Sequence, residues 1–206
     1  TARAQVTPQE SAASYIKRGT SWFEAGDFER ALTDFDIAIA FDPKAAKAFY
    51  NRGRVRQTMG DVNKALEDYA RAIEINPRYQ LAYNNKGNIF YEQGRLDEAI
   101  DAWNRAIEID SRFVSAYFNR GMAEQGKGHL DQALADFSRA IELDKRYAKA
   151  WTGRGMVRQA KADLDGALSD HNRAIAINPR LDVAYYNRGN LFLARKEIGS
   201  AVTDFS

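Results

Sequence analysis

The chain has 206 residues, 45% of them hydrophobic and 12% aromatic, which is enough apolar material to bury a sizeable core. Its 30 Lys and Arg against 28 Asp and Glu leave a net charge of +2, giving no general attraction to nucleic acid or to an anionic membrane surface. It has no cysteine, which excludes disulfides, thiolate metal sites and a cysteine nucleophile, and no apolar run approaches the roughly 18 to 20 residues that cross a bilayer.

At the amino end, Ala2-Arg3-Ala4 has the small-x-small form that precedes signal-peptide cleavage, so a cytoplasmic location and export to the periplasm both stay open. Thr7-Pro8-Gln9-Glu10 combines an N-cap threonine, a proline at the first helical position and a glutamate placed to close a capping box. Residues 1–11 are therefore expected to be an extension and helix cap.

Beyond that point one period governs the chain. Gly19, Gly53, Gly87, Gly121, Gly155 and Gly189 lie 34 residues apart with no insertion or deletion. Such spacing marks stacked supersecondary elements, each unable to bury its apolar face without its neighbours. With each glycine counted as position 8, complete repeats run over 12–45, 46–79, 80–113, 114–147 and 148–181, and a partial sixth over 182–206. Residues 12–206 are expected to form a single array.

The columns of the repeat predict its elements in order. Position 4 is aromatic in every copy (Tyr15, Phe49, Tyr83, Tyr117, Trp151, Tyr185), position 20 is alanine throughout, and position 27 is alanine wherever the chain reaches it. Small residues there let two helices approach closely while aromatics fill the space around them. Gly26, Gly60, Gly94 and Gly128 at position 15 predict a left-handed stop to a first helix. A second helix follows, with apolar residues at helical spacing such as Leu96, Ala99, Ile100, Trp103, Ala106 and Ile107. It ends near Asp42-Pro43, Asn76-Pro77 and Asn178-Pro179, where proline cannot continue a helix. The last such helix carries Ala201, Val202 and Phe205 with no polar helix after it, so further chain or a packing partner is expected on that face.

With an aromatic at 4, glycine at 8, alanine at 20, mostly aromatics at 24 and proline at 32 in several copies, the chain resembles the tetratricopeptide repeat family over residues 12–206. The resemblance implies an all-α fold, a right-handed superhelical α-solenoid of 34-residue helix-turn-helix repeats, whose first helices line a concave groove. It also implies a protein–protein interaction scaffold that binds a peptide or extended protein segment there. The sequence departs from the family pattern at position 7, basic throughout (Arg18, Arg52, Lys86, Arg120, Arg154, Arg188), and at position 11, which holds Arg56, Glu124 and Arg158 in three repeats. It also departs at Ser111 and Lys145 in position 32, and at His171 in position 24.

First-helix positions 2, 5, 9 and 12 vary most between copies, and their spacing puts them on one helical face. That face holds Tyr50, Phe118, Tyr186, Arg54, Asn88, Phe23, Tyr91, Lys47 and Lys149. The mixture suits a peptide with apolar side chains and some acidic character, although several of these aromatics could equally fill gaps between neighbouring first helices. Position 6 carries Asn51, Asn85, Asn119 and Asn187, with Lys17 and Gly153 as exceptions. A carboxamide both donates and accepts, so this column could pair with the backbone of an extended ligand, or could complete hydrogen bonds within the array. The expected peptide-binding set is Lys17, Asn51, Asn85, Asn119, Asn187, Tyr50, Arg54, Asn88, Tyr91, Phe118 and Lys149. A family-type carboxylate clamp is incomplete: Asn88, Asn119 and Lys149 match it, but Asn84 and Gly153 replace two of its basic groups.

The arginine columns are expected to be structural. Position 7 can pair with the aspartates of position 23 or with turn carbonyls. Arg71, Arg105, Arg139 and Arg173 at position 26 lie three residues after the mostly aspartate position 23, at Asp68, Asp136 and Asp170, the spacing for pairs along a helix. No catalytic constellation is apparent: His129 sits at a turn, His171 is expected to be a hydrogen-bonded core residue, and no HExxH, GxSxG or Walker loop occurs. The chain is expected not to be an enzyme and to need no cofactor or metal. Its expected partner is a protein or peptide, with no nucleic acid and no membrane insertion. The alternatives are the repeat segment of a larger enzyme or receptor, and self-association through the carboxyl-terminal face.

Overall fold

The computed structural model describes residues 8–206, so Ala2-Arg3-Ala4 and the Thr7 cap lie outside the described residues, as do the side chains of residues 8–10. The described residues form helices α1 (Pro8–Glu24), α2 (Phe28–Phe41), α3 (Ala46–Thr58), α4 (Val62–Ile75), α5 (Gln80–Glu92), α6 (Leu96–Ile109), α7 (Val114–Gly126), α8 (Leu130–Leu143), α9 (Ala148–Ala160), α10 (Leu164–Ile177), α11 (Asp182–Ala194) and α12 (Ile198–Phe205). The chain forms two compact bodies, one running to Gln93 and holding α1–α5, the other running over Gly94–Ser206 and holding α6–α12.

Both turns of the repeat are closed by backbone hydrogen bonds the sequence can be seen to provide for. Position 15 is left-handed, with φ of 80° at Gly26, 83° at Gly60, 74° at Gly94 and 78° at Gly128. The next amide then reaches back to position 11: Asp27 donates to the Trp22 carbonyl at 2.9 Å, and Asp61 to that of Arg56 at 2.8 Å. That reach satisfies a carbonyl left over at the helix end. Ala162 and Lys196 take the same position in the last two repeats and adopt the same conformation, with φ of 63° and 62°, although each carries a Cβ that disfavours it.

At the other turn an Asp or Asn side chain accepts from the amide two residues on. Asp42 accepts from Lys44 at 2.9 Å, Asn76 from Arg78 at 3.0 Å, Asp110 from Arg112 at 2.9 Å, Asp144 from Arg146 at 2.8 Å and Asn178 from Arg180 at 3.1 Å. This Asx turn forms with or without the proline, which is why Ser111 and Lys145 are tolerated.

Packing follows the small columns. Ala31, Ala65, Ala99, Ala133, Ala167 and Ala201 are fully buried, as are Ala38, Ala72, Ala106, Ala140 and Ala174. In repeats one, two and four the glycine at position 8 lies against the position 24 ring of the same repeat. A Cβ on Gly19 would stand 2.9 Å from Phe35, one on Gly53 2.8 Å from Tyr69, and one on Gly121 3.0 Å from Phe137. Only glycine admits that approach. In the amino-terminal body, cores form around Phe35 and Val55 and around Tyr69 and Ile89; in the carboxyl-terminal body, around Phe137 and Val157, Ile141 and Ala150, and Ala174 and Ala184.

Candidate functional site

The basic column at position 7 points inward to the second helices rather than to a ligand. Arg18 donates from Nε and Nη2 to the two oxygens of Asp34 at 2.7 and 2.5 Å. Arg120 does the same to Asp136 at 2.8 and 2.6 Å, Arg154 to Asp170 at 2.9 and 2.8 Å, and Arg188 to Asp204 at 2.8 and 2.6 Å. The third nitrogen reaches the preceding repeat: Arg52 Nη1 donates to Asp36 at 2.6 Å, Arg120 to Asn104 at 2.6 Å, and Arg188 to Asn172 at 2.7 Å. One guanidinium fork therefore joins a first helix to two second helices, a geometry that lysine cannot reproduce. Repeat three holds Lys86 and Ala102, and the matching position of repeat two holds Ala70, so the arginine and both acceptors are absent together.

The arginines that replace aromatics at position 11 add to the same ties. Arg56 donates to Asp68 at 2.9 Å and Arg158 to Asp170 at 2.9 Å, giving each buried carboxylate a second cation. Glu124, the third departure, places Oε2 2.7 Å from His129 Nδ1. The position 26 arginines do not pair backward with the aspartates as the spacing suggested. Arg71, Arg105 and Arg139 pair forward with Glu74, Glu108 and Glu142 at 2.6, 2.7 and 3.0 Å; Asp68 and Asp136 face position 7 instead, and Arg105 has Ala102 three residues back.

On the first-helix face of the amino-terminal body, several predicted side chains join a polar network. Asn85 donates to the Tyr50 and Tyr69 hydroxyls at 3.4 and 3.3 Å and accepts from buried Asn84 at 3.3 Å. Tyr69 donates in turn to Gln57 Oε1 at 2.7 Å. Burial pushes the Tyr50 and Tyr69 hydroxyls up, and that of Tyr79 to about 12, so they stay protonated at neutral pH. Buried Asn51 donates to Thr20 Oγ1 at 3.4 Å, linking α3 to α1. Tyr50 packs on Tyr79 and Tyr69 with ring centroids 4.9 and 5.8 Å apart. The Arg54 guanidinium lies 4.7 Å from the Phe23 centroid and 5.9 Å from that of Tyr50, with no carboxylate partner among the described residues. Lys17 and Lys47 are exposed, Asn88 is half-buried and Tyr91 is exposed. The network members Gln57 and Tyr69 escaped the sequence reading, since they lie in columns that read as variable surface and as core.

In the carboxyl-terminal body, half-buried Phe118 packs on Phe137 and Tyr147 at 5.7 and 5.2 Å. Asn119 is half-buried and Lys149 exposed. Asn187 donates to the Val183 carbonyl of its own helix at 2.7 Å. Gly153 stands where the clamp pattern needs a basic residue, and a Cβ there would be 2.8 Å from the Phe137 ring. His171 occupies the core position of repeat five and is fully buried, but its two ring nitrogens have no hydrogen-bond partner among the described residues. It is a core histidine, as expected, but not a satisfied one. Burial pulls its pKa down to about 4, so the ring is neutral.

Models of the tetratricopeptide repeat match residues 18–84, 69–101 and 114–147, and a further TPR repeat model matches 87–128. The chain belongs to the tetratricopeptide repeat family. The structure of Pseudomonas aeruginosa pilF is similar at 20% identity and a TM-score of 0.86, over 96% of this chain and 90% of that one. PilW, described as a widely conserved type IV pilus biogenesis factor, is similar at 18% identity and a TM-score of 0.83, over 94% and 90%. YrrB, described as a TPR protein with an unusual peptide-binding site, is similar at 26% identity and a TM-score of 0.69, over 90% and 92%. These likenesses establish the all-α tetratricopeptide solenoid fold. No curated protein matches the sequence. Among the described residues no helix is long and apolar enough to cross a membrane, and no cluster of His, Asp and Glu could hold a metal ion.

Proposed function

We propose that this tetratricopeptide protein is a non-catalytic interaction scaffold that binds a peptide or extended protein segment along the face of its first helices. The observation that carries this reading is an asymmetry between faces. Most charged side chains of the second helices are engaged in forks, i,i+3 pairs or longer ties, with Arg173 and Glu67 among the exceptions, whereas the four cations Lys17, Lys47, Arg54 and Lys149 on first helices have no acidic partner among the described residues. Half-buried Met122 and Met156 and exposed Tyr186 add adaptable apolar surface on the first helices of the carboxyl-terminal body. The recurring Ser, Thr, Asp and Glu have caps, turns and ties as their roles, which supports a non-catalytic reading. YrrB, whose peptide-binding site is described, offers an analogue of the same fold.

In this reading Lys17, Arg54, Asn88 and Tyr91 in one body, and Phe118, Asn119, Lys149 and Asn187 in the other, contact the ligand. Tyr50, Asn51 and Asn85 set the spacing of the first helices beneath it. The test is to pan a random-peptide display library against the chain and map the selected peptides by cross-linking from Lys47 and Ser115, with Glu67 and Ala135 on second helices as comparison. Cross-links from the first-helix positions are expected, and cross-links confined to Glu67 and Ala135 would refute the assignment.

A second reading, self-association, is favoured by the apolar surface of α11 and α12, where Val183, Tyr186, Ile198, Val202 and Phe205 are 45 to 60% exposed. Sedimentation at several concentrations tests it. A mass that rises with concentration and falls back on Val202→Lys supports it, and a constant monomer mass removes it.

A further inference from the structure

The amino-terminal body contains a hollow of about 320 Å³ lined by Ala13, Ile16, Lys17, Thr20 and Ser21 of α1 and by Lys47 of α3. Its floor is settled by internal bonds. Thr20 donates to the Ile16 carbonyl at 2.7 Å and accepts from Asn51, and Ser21 donates to the Lys17 carbonyl at 3.3 Å. Its lining carries two cations, Lys17 of α1 and Lys47 of α3, and neither meets a carboxylate among the described residues. Lys44 and Lys64, elsewhere in the same body, do not line the hollow, and Lys64 pairs with Asp61 at 2.8 Å. Two turns along α3 from Lys47, Arg54 adds a third cation, 4.7 Å from the Phe23 ring centroid and 5.9 Å from that of Tyr50.

We propose that this hollow docks an acidic segment of a protein partner, with Lys17 and Lys47 engaging its carboxylates and Arg54 receiving the next acidic or aromatic residue along. This rests on the first-helix reading above and names the chemistry of its ligand in this body. Charge complementarity carries the choice. Two unpaired ammonium groups facing one small hollow repel each other and gain most from a dianionic stretch between them, while the aliphatic floor of Ala13 and Ile16 accepts the methylenes of a glutamate. Neutral or basic segments leave that repulsion in place. Because both lysines are exposed, the attraction is screened as salt rises.

The experiment is fluorescence anisotropy of the intact chain with a labelled glutamate homopeptide and a glutamine homopeptide of equal length. The glutamate peptide is expected to bind, roughly tenfold more weakly after Lys17→Glu with Lys47→Glu, and several-fold more weakly as salt rises from about 0.05 to about 0.5 M. The doubly neutral Lys17→Gln with Lys47→Gln variant should fall between. Lys44→Glu with Lys64→Glu, matched in net charge, should bind as the wild type does. Circular dichroism checks each variant, and both lysines are exposed, so their loss leaves the fold intact. Equal binding of the glutamine peptide, no binding of the glutamate peptide, or equal weakening by the Lys44 and Lys64 pair overturns the proposal. Library peptides that cross-link to first helices but are indifferent to Lys17 and Lys47 overturn this inference while leaving the scaffold reading intact. Peptides that cross-link only to second helices remove both.

Discussion

Replacing His171 by Phe should make the protein more stable and remove part of its sensitivity to acid. The imidazole sits where repeats one, two, three, four and six carry Phe, Tyr or Trp, and it is fully buried with neither ring nitrogen hydrogen-bonded among the described residues. A Cβ on Gly155 would lie 2.7 Å from His171, close to the 2.5 to 3.0 Å that separates Phe35, Phe137 and Phe205 from their own glycines, so a phenyl ring fits the same slot. Near pH 7 the substitution removes buried polar atoms without partners, worth about 1 to 3 kcal/mol. The pH dependence gives the sharper number. Burial lowers the pKa from 6.5 to about 4, opposed by Asp170 and reinforced by Arg188. The neutral folded ring therefore contributes stability that is complete above 6.5 and is lost as pH falls through about 4.

At 1.36 kcal/mol per pKa unit, the loss reaches about 2 kcal/mol near pH 5 and about 3 kcal/mol at full protonation. Carboxylates titrate in both proteins and cancel in the difference. Urea unfolding at about pH 7 and about pH 5, with amide exchange in α9 and α10 to follow the affected repeat, measures it, because an array can open locally. The advantage of His171→Phe over wild type should grow by about 2 kcal/mol between the two pH values. An advantage that does not change with pH would refute a neutral, desolvated imidazole.

Gly53→Ala puts a methyl 2.8 Å from the Tyr69 ring and should lower stability by about 1 to 3 kcal/mol in urea. Ala162→Gly relieves a Cβ held at φ 63°, and should raise the melting midpoint by an amount worth about 0.5 to 1 kcal/mol, net of the added freedom of the unfolded chain. Asp68→Ala strands Arg52 and Arg56, which are only 16 and 20% exposed, and should cost about 3 kcal/mol in chemical denaturation. Asn85→Ala removes donors to two tyrosine hydroxyls, so it should cost about 1 kcal/mol in stability whether or not a peptide is bound, read from thermal shifts with and without ligand.

The elements were legible because their signals are local. The position 15 glycines, the Asp and Asn ahead of the prolines and the alanine columns each fix a conformation or contact within one repeat or its neighbour, and the helices begin and end where those residues place them. Ion pairing was less legible. The position 26 arginines stand at good helical spacing from the aspartates, yet spacing along a helix says nothing about which way a buried carboxylate faces, and a fork from the adjacent helix claims it. His171 shows the same limit from the other side. A polar residue in a core column suggests a partner, and only the packing of α9 and α10 shows that none of the described residues supplies one. The asparagine column falls between, since an amide suited to gripping an extended chain is equally suited to joining two helices.

Periodicity in this chain separates structure from recognition. A side chain that recurs every 34 residues does so most simply when its partner recurs at the same period, as arginine at position 7 does with aspartate at position 23. Repeat three tests this from within: where the arginine becomes Lys86, both acceptor positions become alanine, so the three residues behave as one device. A ligand imposes no such period on the array unless it is itself regular. The residues that choose a partner should then be those that break the pattern, on a face where no internal partner answers them. Lys17 stands where four of the other five repeats hold asparagine, and Lys47, Arg54 and Lys149 lie in columns shared with Leu81, Asn88 and Val183. Those departures, rather than the repeated asparagines, are where partner specificity should reside, and three of the four, Lys17, Lys47 and Arg54, lie in the amino-terminal body.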